Sequence, residues 1–525
     1  MIFDLDTPGH RGLAPADVCI VGGGAVGLVL AHTLSQQGAD VLLLEGGGPR
    51  LEADSQALQQ GESVGHPFTN IGVGRYRVLG GTTTYWGGQL YPIDAFITGP
   101  RPWLGHAAWP VPADELAQWH QQAYAALGLA DVLTDEAAIW PAIRQPVPDF
   151  GSDLELLTTR WVKTRNFARL FGPTLRRQGG LRVLTHANVT ALRLDASGQR
   201  IAGCVVRSLR GRSEEVKAQR VVLANGSLEI ARLLLHPVAG GTAAPWHPSP
   251  WLGTPLIDHL DCKAADVHVL DHERFHAVFD SIFHAGHKYY PKLRLARSVQ
   301  QREGLVDIAS EFAYRTRFSE HLDYLKMFVR SVRDGSSGVS LAGLPKHAGA
   351  VAATAWPLAK RYFADRRSFK PRDAEVSLMV HSEQLPHRPS RVMLGDAQDA
   401  LGMKRLRVDW QIAGRELHTI RRYTAAVADA LAAQGLARVQ MHPALAAGDP
   451  CFVHGIVDAV HQMGTARMAR SEADGVVDAD LQVFGCRNLY VAGAAVFPST
   501  GFANPTFTAL ALALRLGAHL AKPQT

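Results

Sequence analysis

The N-terminal part of the chain alternates short apolar runs with a helical pattern. Residues 17–21 and 41–44 are nearly continuous apolar runs of strand length, and the segment between them, to about Gln37, has the spacing of an apolar helix. Uninterrupted apolar strands are typical of parallel sheets, whose strands are buried on both faces. This order predicts a βαβ unit at the start of the fold.

The same α/β pattern returns further along the chain. Strands are predicted at residues 181–194, 201–206, 220–224 and 489–492, and helices at 114–127, 228–235 and from about Pro505. The part from about 260 to 445 has a different texture, with extended runs at 375–380 and 391–394 and a basic stretch at 330–372. The pattern predicts an α/β protein whose middle region differs from its two ends.

One amphipathic stripe in the middle region has two interpretations. On a helix over 319–333, one face would carry Leu322, Leu325, Phe328, Val329 and Val332. Such a stripe is most often core, which we favour, and the alternative is a membrane or partner surface. The basic residues nearby are interpreted as a solvated face.

Composition narrows the class of protein. The chain has 525 residues, 46% hydrophobic and 19% charged, which is typical of a globular protein of two or more domains. The net charge of +6 is a mild bias, and no nucleic-acid-binding module is expected. The five cysteines form no C-x-x-C pair, so we expect no disulfide framework or metal site and a cytoplasmic location. No signal peptide or membrane span is expected either; the best candidate, residues 338–359, is interrupted by prolines and a lysine.

A nucleotide-binding fingerprint lies inside the first βαβ unit. Gly22, Gly24 and Gly27 form a G-x-G-x-x-G turn between strand and helix, where free N–H groups at a helix N-terminus bind phosphate. Glu45 ends the second strand, at about the spacing of a carboxylate that binds ribose hydroxyls, and it would repel the 2′-phosphate of NADP. The motif alone does not distinguish FAD from NAD. Its single copy indicates that electrons come from the substrate itself.

Four further segments carry a resemblance to a known family. They are residues 76–88 (YRVLGGTTTYWGG), 220–235 (RVVLANGSLEIARLLL), 461–468 (HQMGTARM) and 488–520 (NLYVAGAAVFPSTGFANPTFTALALALRLGAHL). Together with the N-terminal unit they resemble the glucose–methanol–choline (GMC) oxidoreductases, nearest the bacterial pyranose-oxidase-like enzymes. The resemblance implies a Rossmann-type FAD-binding domain (14–90, 181–260 and 446–522). It also implies an interleaved α+β substrate-binding domain or lid (91–180 and 261–445) of mostly antiparallel sheet plus helices.

The resemblance also assigns residues to the cofactor. The expected FAD-binding residues are Gly22, Gly24, Ala25, Val26, Gly27, Glu45, Gly80, Gly81, Thr82, Trp86, Gly87, Val189, Ala224, Asn225, Gly493, Ala494, Asn504, Pro505 and Thr506. In the pyranose oxidases a Thr-His-Trp histidine bonds covalently to the flavin. The aligned triplet here is Thr84-Tyr85-Trp86, which predicts non-covalent FAD.

Oxidation of an alcohol needs a base beside the hydride acceptor. His461 matches the family's catalytic histidine, and imidazole titrates near neutral pH. Asn504 matches its partner and can orient a hydroxyl through an uncharged hydrogen bond. His259 and His381 are weaker pocket candidates, interpreted as structural, and Trp86 and Trp109 are interpreted as packing residues.

Several functions fit this pattern. The leading hypothesis is FAD-dependent oxidation of a sugar or glycoside alcohol, with oxygen, a quinone or another carrier as electron acceptor. Alternatives are a non-sugar alcohol or choline-type dehydrogenase, and a lyase that keeps FAD as structure. A non-enzymatic flavin-binding or membrane-associated protein, motivated by the basic stretch, is the fourth.

Overall fold

The structure is a computed structural model. It describes residues 1–8, 13–177, 179–241, 243–316, 365–368 and 370–521, together with Tyr324, Pro345, Lys346, Ala348, Gly349, Lys360 and Arg361. The amphipathic stripe predicted at 319–333 lies outside the described residues apart from Tyr324, and so does most of the basic stretch at 330–372.

The described strands, in chain order, are β1 (Ile2–Asp4), β2 (Ala16–Val21), β3 (Val41–Leu44), β4 (Gly61–Gly65), β5 (Gln89–Leu90), β6 (Leu154–Trp161), β7 (Leu181–Thr185), β8 (Asn188–Leu194), β9 (Ile201–Arg207), β10 (Ser213–Val216), β11 (Ala218–Leu223), β12 (Leu260–Val269), β13 (Ile282–His284), β14 (His287–Leu295), β15 (Ile308–Arg315), β16 (Glu375–Ser382), β17 (Arg391–Gln398), β18 (Lys404–Trp410), β19 (Ala437–Met441), β20 (Val457–Asp458) and β21 (Leu489–Val491).

The described α-helices are α1 (Ala25–Gln36), α2 (Ala53–Ala57), α3 (Ala95–Thr98), α4 (Ala113–Ala126), α5 (Ile139–Ala142), α6 (Phe167–Leu170), α7 (Gly172–Arg177), α8 (Ser227–Leu235), α9 (His272–Phe279), α10 (Arg297–Glu303), α11 (Arg415–Ala433), α12 (Pro443–Ala447) and α13 (Pro505–Leu520). Short 3₁₀ turns lie at Thr69–Ile71, Gly81–Thr84, Pro102–Leu104, Pro450–Gly455 and Ala494–Val496.

A six-stranded parallel sheet forms the nucleotide-binding part of the fold. Its order is β1-β7-β3-β2-β11-β21, and every neighbouring pair is parallel. The central strands are buried because both sheet faces are covered, as the apolar runs predicted. The predicted βαβ unit is therefore confirmed, and so is the return of the chain to this sheet at β11 and β21.

A second, antiparallel sheet is built mainly from the middle of the chain. Its order is β19-β12-β16-β15-β14-β6-β5, with β13 on β14 and β20 on β12. A separate hydrophobic core lies on this side of the molecule, with Phe275, Leu378 and Tyr423 among its fully buried members. The predicted combination of a Rossmann-type α/β part and a mostly antiparallel α+β part is confirmed.

Two smaller sheets complete the described strands: β10-β9-β8 and β17-β18-β4. None of the helices in the described part of the chain is long and apolar enough to cross a bilayer. All five cysteines are free thiols, and four of them are buried.

His120 makes the stability of the fold depend on pH. Its side chain on α4 is 6% exposed, and its Nε2 atom lies 3.0 Å from the Thr508 hydroxyl of α13. Burial lowers the pKa of His120 to about 4, whereas the pKa of a histidine in the unfolded chain is ~6.5. Only the unfolded chain takes up this proton between those values, so stability falls as the pH falls through that window, by up to ~1.4 kcal/mol per pH unit.

The substitution His120→Gln removes the titrating group and keeps a hydrogen-bonding amide near the Nε2 position. We expect the midpoint of thermal unfolding to drop less between pH 7.5 and pH 5.0 in this variant than in the wild type. Equal drops in the two proteins would contradict the assignment.

Candidate active site

The glycine turn between β2 and α1 has the geometry that the fingerprint predicts. Gly22 has φ +108°, and a Cβ atom there would lie 2.6 Å from the Cα atom of Asn225. A Cβ atom on Gly27 would lie 1.9 Å from the carbonyl oxygen of Gly22, so close helix–strand packing requires glycine. A Cβ atom on Gly24 would meet nothing nearer than the Cα atom of Gly81, at 4.0 Å, and would point into open space.

Glu45 follows β3 and closes the turn. Its two carboxylate oxygens accept the backbone N–H groups of Gly23 and Gly47, each at 2.8 Å. Burial raises the pKa of Glu45, and those N–H groups together with Arg77 oppose the shift. The carboxylate therefore shapes the turn as well as facing the nucleotide site.

One long cavity joins the glycine turn to His461. It is lined by these predicted residues: Gly22, Gly24, Ala25, Val26, Glu45, Gly81, Thr82, Trp86, Val189, Ala224, Asn225, His461, Gly493, Ala494, Pro505 and Thr506. Gly27, Gly80, Gly87 and Asn504 do not line it. Gly27 lies behind the turn, and Gly80, with φ +102°, begins the 3₁₀ turn that carries Gly81 and Thr82.

The cavity suits a dinucleotide such as FAD. The N-termini of α1 and α13 both border it, neither has an acidic residue in its first turn, and neither is capped by a side chain. Unpaired N–H groups and the helix dipole favour phosphate at such ends. Two cavity-lining side chains also have buried atoms without a hydrogen-bond partner among the described residues, Asn225 Oδ1 and Arg77 Nε. These groups fit a polar ligand with donors, acceptors and negative charge.

The sequence interpretation missed a set of charged residues on the same cavity wall. Arg75 pairs with Glu229 at 3.0 Å, and Arg232 pairs with Asp399 at 2.7 Å. Burial would raise the pKa of Glu229, but the surrounding arginines outweigh it and lower that pKa to about 2. Asp399 comes from the middle of the chain, so no local motif relates it to the glycine turn.

His461 sits at the far end of the cavity on a strained loop. The preceding residue, Val460, has φ +64°, a conformation that a β-branched residue rarely adopts. The Asp258 carboxylate holds this loop by accepting the N–H groups of Ala459 at 3.1 Å and of His461 at 3.0 Å. Strain maintained by surrounding bonds is typical of functional sites.

His461 belongs to a cluster of three histidines. Its Nδ1 atom lies 3.0 Å from Nδ1 of His259, and the His259 and His381 ring centres are 4.6 Å apart. One nitrogen atom from each of the three rings lies within 4.8 Å of the corresponding atoms of the other two, and this spacing could hold a metal ion. The side chains of Asp4, Asp6 and His186 form a second group with the same spacing. The interpretation of His259 and His381 as structural overlooked this contact with His461. The adjacent Asp258-His259 pair was the only local signal.

The electrostatics of the cluster favour a neutral His461. Burial, followed by the nearby His381, lowers the pKa of His461 to about 3, although Asp261 opposes the shift. The His381 ring is itself paired through Nδ1 with the Asp261 carboxylate. A histidine that is neutral at physiological pH can accept a proton, which is what a general base requires.

Asn504, the residue expected to act together with His461, immediately precedes α13, and the next two residues, Pro505 and Thr506, line the cavity. Within the described residues the Asn504 side chain makes no hydrogen bond to His461, whose Nδ1 atom contacts His259. The role of Asn504 in orienting a hydroxyl stays a prediction. Trp109 is buried and donates to Ser499, in agreement with a packing role, whereas Trp86 lines the cavity and donates to the carbonyl of Arg165.

Comparison with known proteins finds two family models that match parts of this chain. A family model described as GMC oxidoreductase matches residues 386–513, and one described as FAD dependent oxidoreductase matches residues 17–269. A C-glycoside 3-oxidase from Microbacterium trichothecenolyticum is 33% identical over 138 residues, which is 25% of this chain and 24% of that protein. A 6'''-hydroxyparomomycin C oxidase from Streptomyces lividus is 34% identical over 148 residues, 23% of this chain and 26% of that protein. The matches thus span about a quarter of the length of these relatives.

Solved structures share the fold over nearly the whole chain. Pyridoxine 4-oxidase from Mesorbium loti superposes with a TM-score of 0.55 at 19% identity, covering 96% of this chain and 99% of that one. A fungal aryl-alcohol oxidase superposes with a TM-score of 0.56 at 13% identity, covering 97% and 99%. The resemblance to the GMC oxidoreductases found in the sequence is confirmed by the GMC oxidoreductase match over residues 386–513 and the FAD dependent oxidoreductase match over residues 17–269.

Proposed function

We propose that this protein oxidises a CH–OH group of a sugar or glycoside with FAD as the hydride acceptor. The observation that carries the proposal is His461, a neutral imidazole that lines the same cavity as the glycine turn and the N-termini of α1 and α13. When bound, the flavin accepts a hydride at N5. His461 takes up the hydroxyl proton, and Asn504 orients the hydroxyl.

The residues that line the cavity indicate which chain segments form the FAD-binding domain. Almost all of its lining residues come from 14–90, 181–260 and 446–522; the exceptions are Asp399, Leu401 and Met403. This distribution supports 14–90, 181–260 and 446–522 as the FAD-binding domain and 91–180 and 261–445 as the substrate-binding domain or lid.

A polyhydroxylated substrate suits the polar wall beside His461. Asp261 on β12 lies opposite His381 on β16, and the Lys292 ammonium lies 3.2 Å from Glu311 on the neighbouring strand. The Asp261 and Glu311 side chains are 31% and 45% exposed, so they remain accessible to a ligand. Such groups bind hydroxyls better than they bind an apolar alcohol. The names of the two relatives, a glycoside oxidase and an oxidase of a hydroxyparomomycin, also support this class.

The substrate class is tested by anaerobic spectroscopy of the FAD-loaded protein. Sugars and glycosides should bleach the flavin spectrum, whereas choline and simple alcohols should not. The variant His461→Ala should keep its FAD and lose about 10²–10⁴-fold in the rate of flavin reduction.

The matched control is His454→Ala, which removes an exposed histidine away from the cavity and should reduce at the wild-type rate. Bleaching by choline or simple alcohols alone would favour the alternative within the family. A flavin that no alcohol bleaches would favour the lyase. Reoxidation of the reduced protein by oxygen or by a quinone then identifies the electron acceptor.

FAD binding is tested by alanine substitutions at Gly24 and Gly27, because the added methyl group would have open space at one position and a backbone contact at the other. Gly24→Ala adds a methyl group in the open space of the cavity, so the apoprotein should unfold at the wild-type temperature and bind FAD at least about tenfold more weakly. Gly27→Ala places its methyl against the Gly22 carbonyl and should destabilise the apoprotein. Wild-type FAD affinity in Gly24→Ala would contradict the assigned binding mode.

We propose that the FAD is held without a covalent bond. Tyr85 replaces the histidine of the Thr-His-Trp triplet, and its ring is 53% exposed and stacked on Tyr76 at 4.2 Å. Acid precipitation should release all the flavin into the supernatant and leave the mass of the polypeptide unchanged. Flavin retained in the pellet would overturn this proposal.

We also propose a cytoplasmic location, which the five free cysteines support.

A further inference from the structure

A chain of hydrogen bonds runs from the Nδ1 atom of His461 into the protein. His461 Nδ1 lies 3.0 Å from His259 Nδ1, and His259 Nε2 lies 3.2 Å from the Thr500 hydroxyl oxygen. The Thr500 hydroxyl donates to the Gly501 carbonyl at 3.1 Å. His259 is fully buried, and Asp258 holds its backbone N–H at 2.7 Å.

Only one arrangement of protons satisfies all three contacts of this hydrogen-bond chain. Thr500 uses its single O–H on Gly501, so it must accept from His259, and Nε2 of His259 carries the proton. A neutral His259 then has a bare Nδ1 atom. The 3.0 Å contact between the two Nδ1 atoms needs one proton, which His461 must supply.

We propose that His259 and Thr500 are positioning residues that fix His461 in the tautomer with Nδ1 protonated and Nε2 bare. This inference rests on the proposed function, because the bare Nε2 atom is the one that would accept the substrate proton. His461 lines the cavity, and its Nε2 atom has no hydrogen-bond partner among the described residues. The tautomer therefore decides whether His461 presents a base or a donor to the cavity.

The surroundings of His259 keep it neutral. Burial first, and then the neighbouring His381 and His461, lower its pKa well below the ordinary value, and Lys292 adds to the shift. The Asp261 carboxylate is paired with His381. The Thr500 loop is also held in place, because Arg101 donates to the Thr500 carbonyl at 3.2 Å.

The tautomer of His461 can be measured by NMR spectroscopy, without any substrate being oxidised. Protein with FAD bound and ¹⁵N-labelled histidine should show His461 with a protonated Nδ1 and a bare Nε2, and the resonance is assigned by its loss in His461→Gln. Thr500→Val removes the hydroxyl with little change in volume and should shift His461 toward the Nε2-protonated form. Thr500→Ser keeps the hydroxyl and is the matched control, with the wild-type spectrum expected.

A second pair of variants tests His259 directly. His259→Asn keeps an acceptor at the position of Nδ1, whereas His259→Leu removes it. We expect the leucine variant to lose about 10²-fold or more in the rate of flavin reduction with little change in KM, and the asparagine variant to recover most of that loss.

The outcomes separate the two proposals. A bare Nδ1 on wild-type His461 would overturn the tautomer assignment even if sugars reduce the flavin. The tautomer assignment would also be overturned if the protein bound one metal ion per chain and lost it in His259→Asn, because the cluster would then be a metal site. A flavin that no alcohol reduces would remove the proposed function, while the resonances would still show whether His259 and Thr500 set the tautomer.

Discussion

The carboxylate of Asp258 holds together the two chain segments that carry His259 and His461. It accepts N–H groups from His259 beside it and from Ala459 and His461, 201 and 203 positions along the chain. The side chain is fully buried, so each of these donors is needed to satisfy it. The contact between His259 and His461, the strained backbone at Val460 and the position of the base all depend on this one group.

A second buried network supports the other end of the hydrogen-bond chain. Arg101 and Glu383 are both fully buried and form two 2.6 Å contacts with each other. Arg101 also binds the Thr500 carbonyl, and Glu383 accepts the N–H group of Asp307. Breaking such a pair from one side leaves an uncompensated charge, at about 3–5 kcal/mol. The network therefore fixes the loop that carries Thr500 against strands of the antiparallel sheet.

The histidine cluster lies where the two large sheets meet. The parallel sheet presents the glycine turn and Glu45, and the antiparallel sheet presents the polar wall of Asp261, His381 and Glu311. His461 follows β20 at the edge of the antiparallel sheet and also lines the nucleotide cavity. One residue can thus face a cofactor on one side and a substrate on the other.

The sequence by itself determined the parts of this protein that local geometry dictates. The Gly22–Gly27 turn, Glu45 and the apolar strands follow from rules that act within about 30 residues, so the parallel sheet was predicted from local pattern. The other predicted residues that line the cavity came from the family resemblance. Only the tertiary structure decided which side chains surround His461. His259 and His381, which lie beside His461, come from distant segments, as do Thr500, which contacts His259, and Asp399 on the cavity wall. Contacts between distant segments leave no periodic or motif signal. His461 contacts His259 because the buried Asp258 carboxylate brings those two loops together.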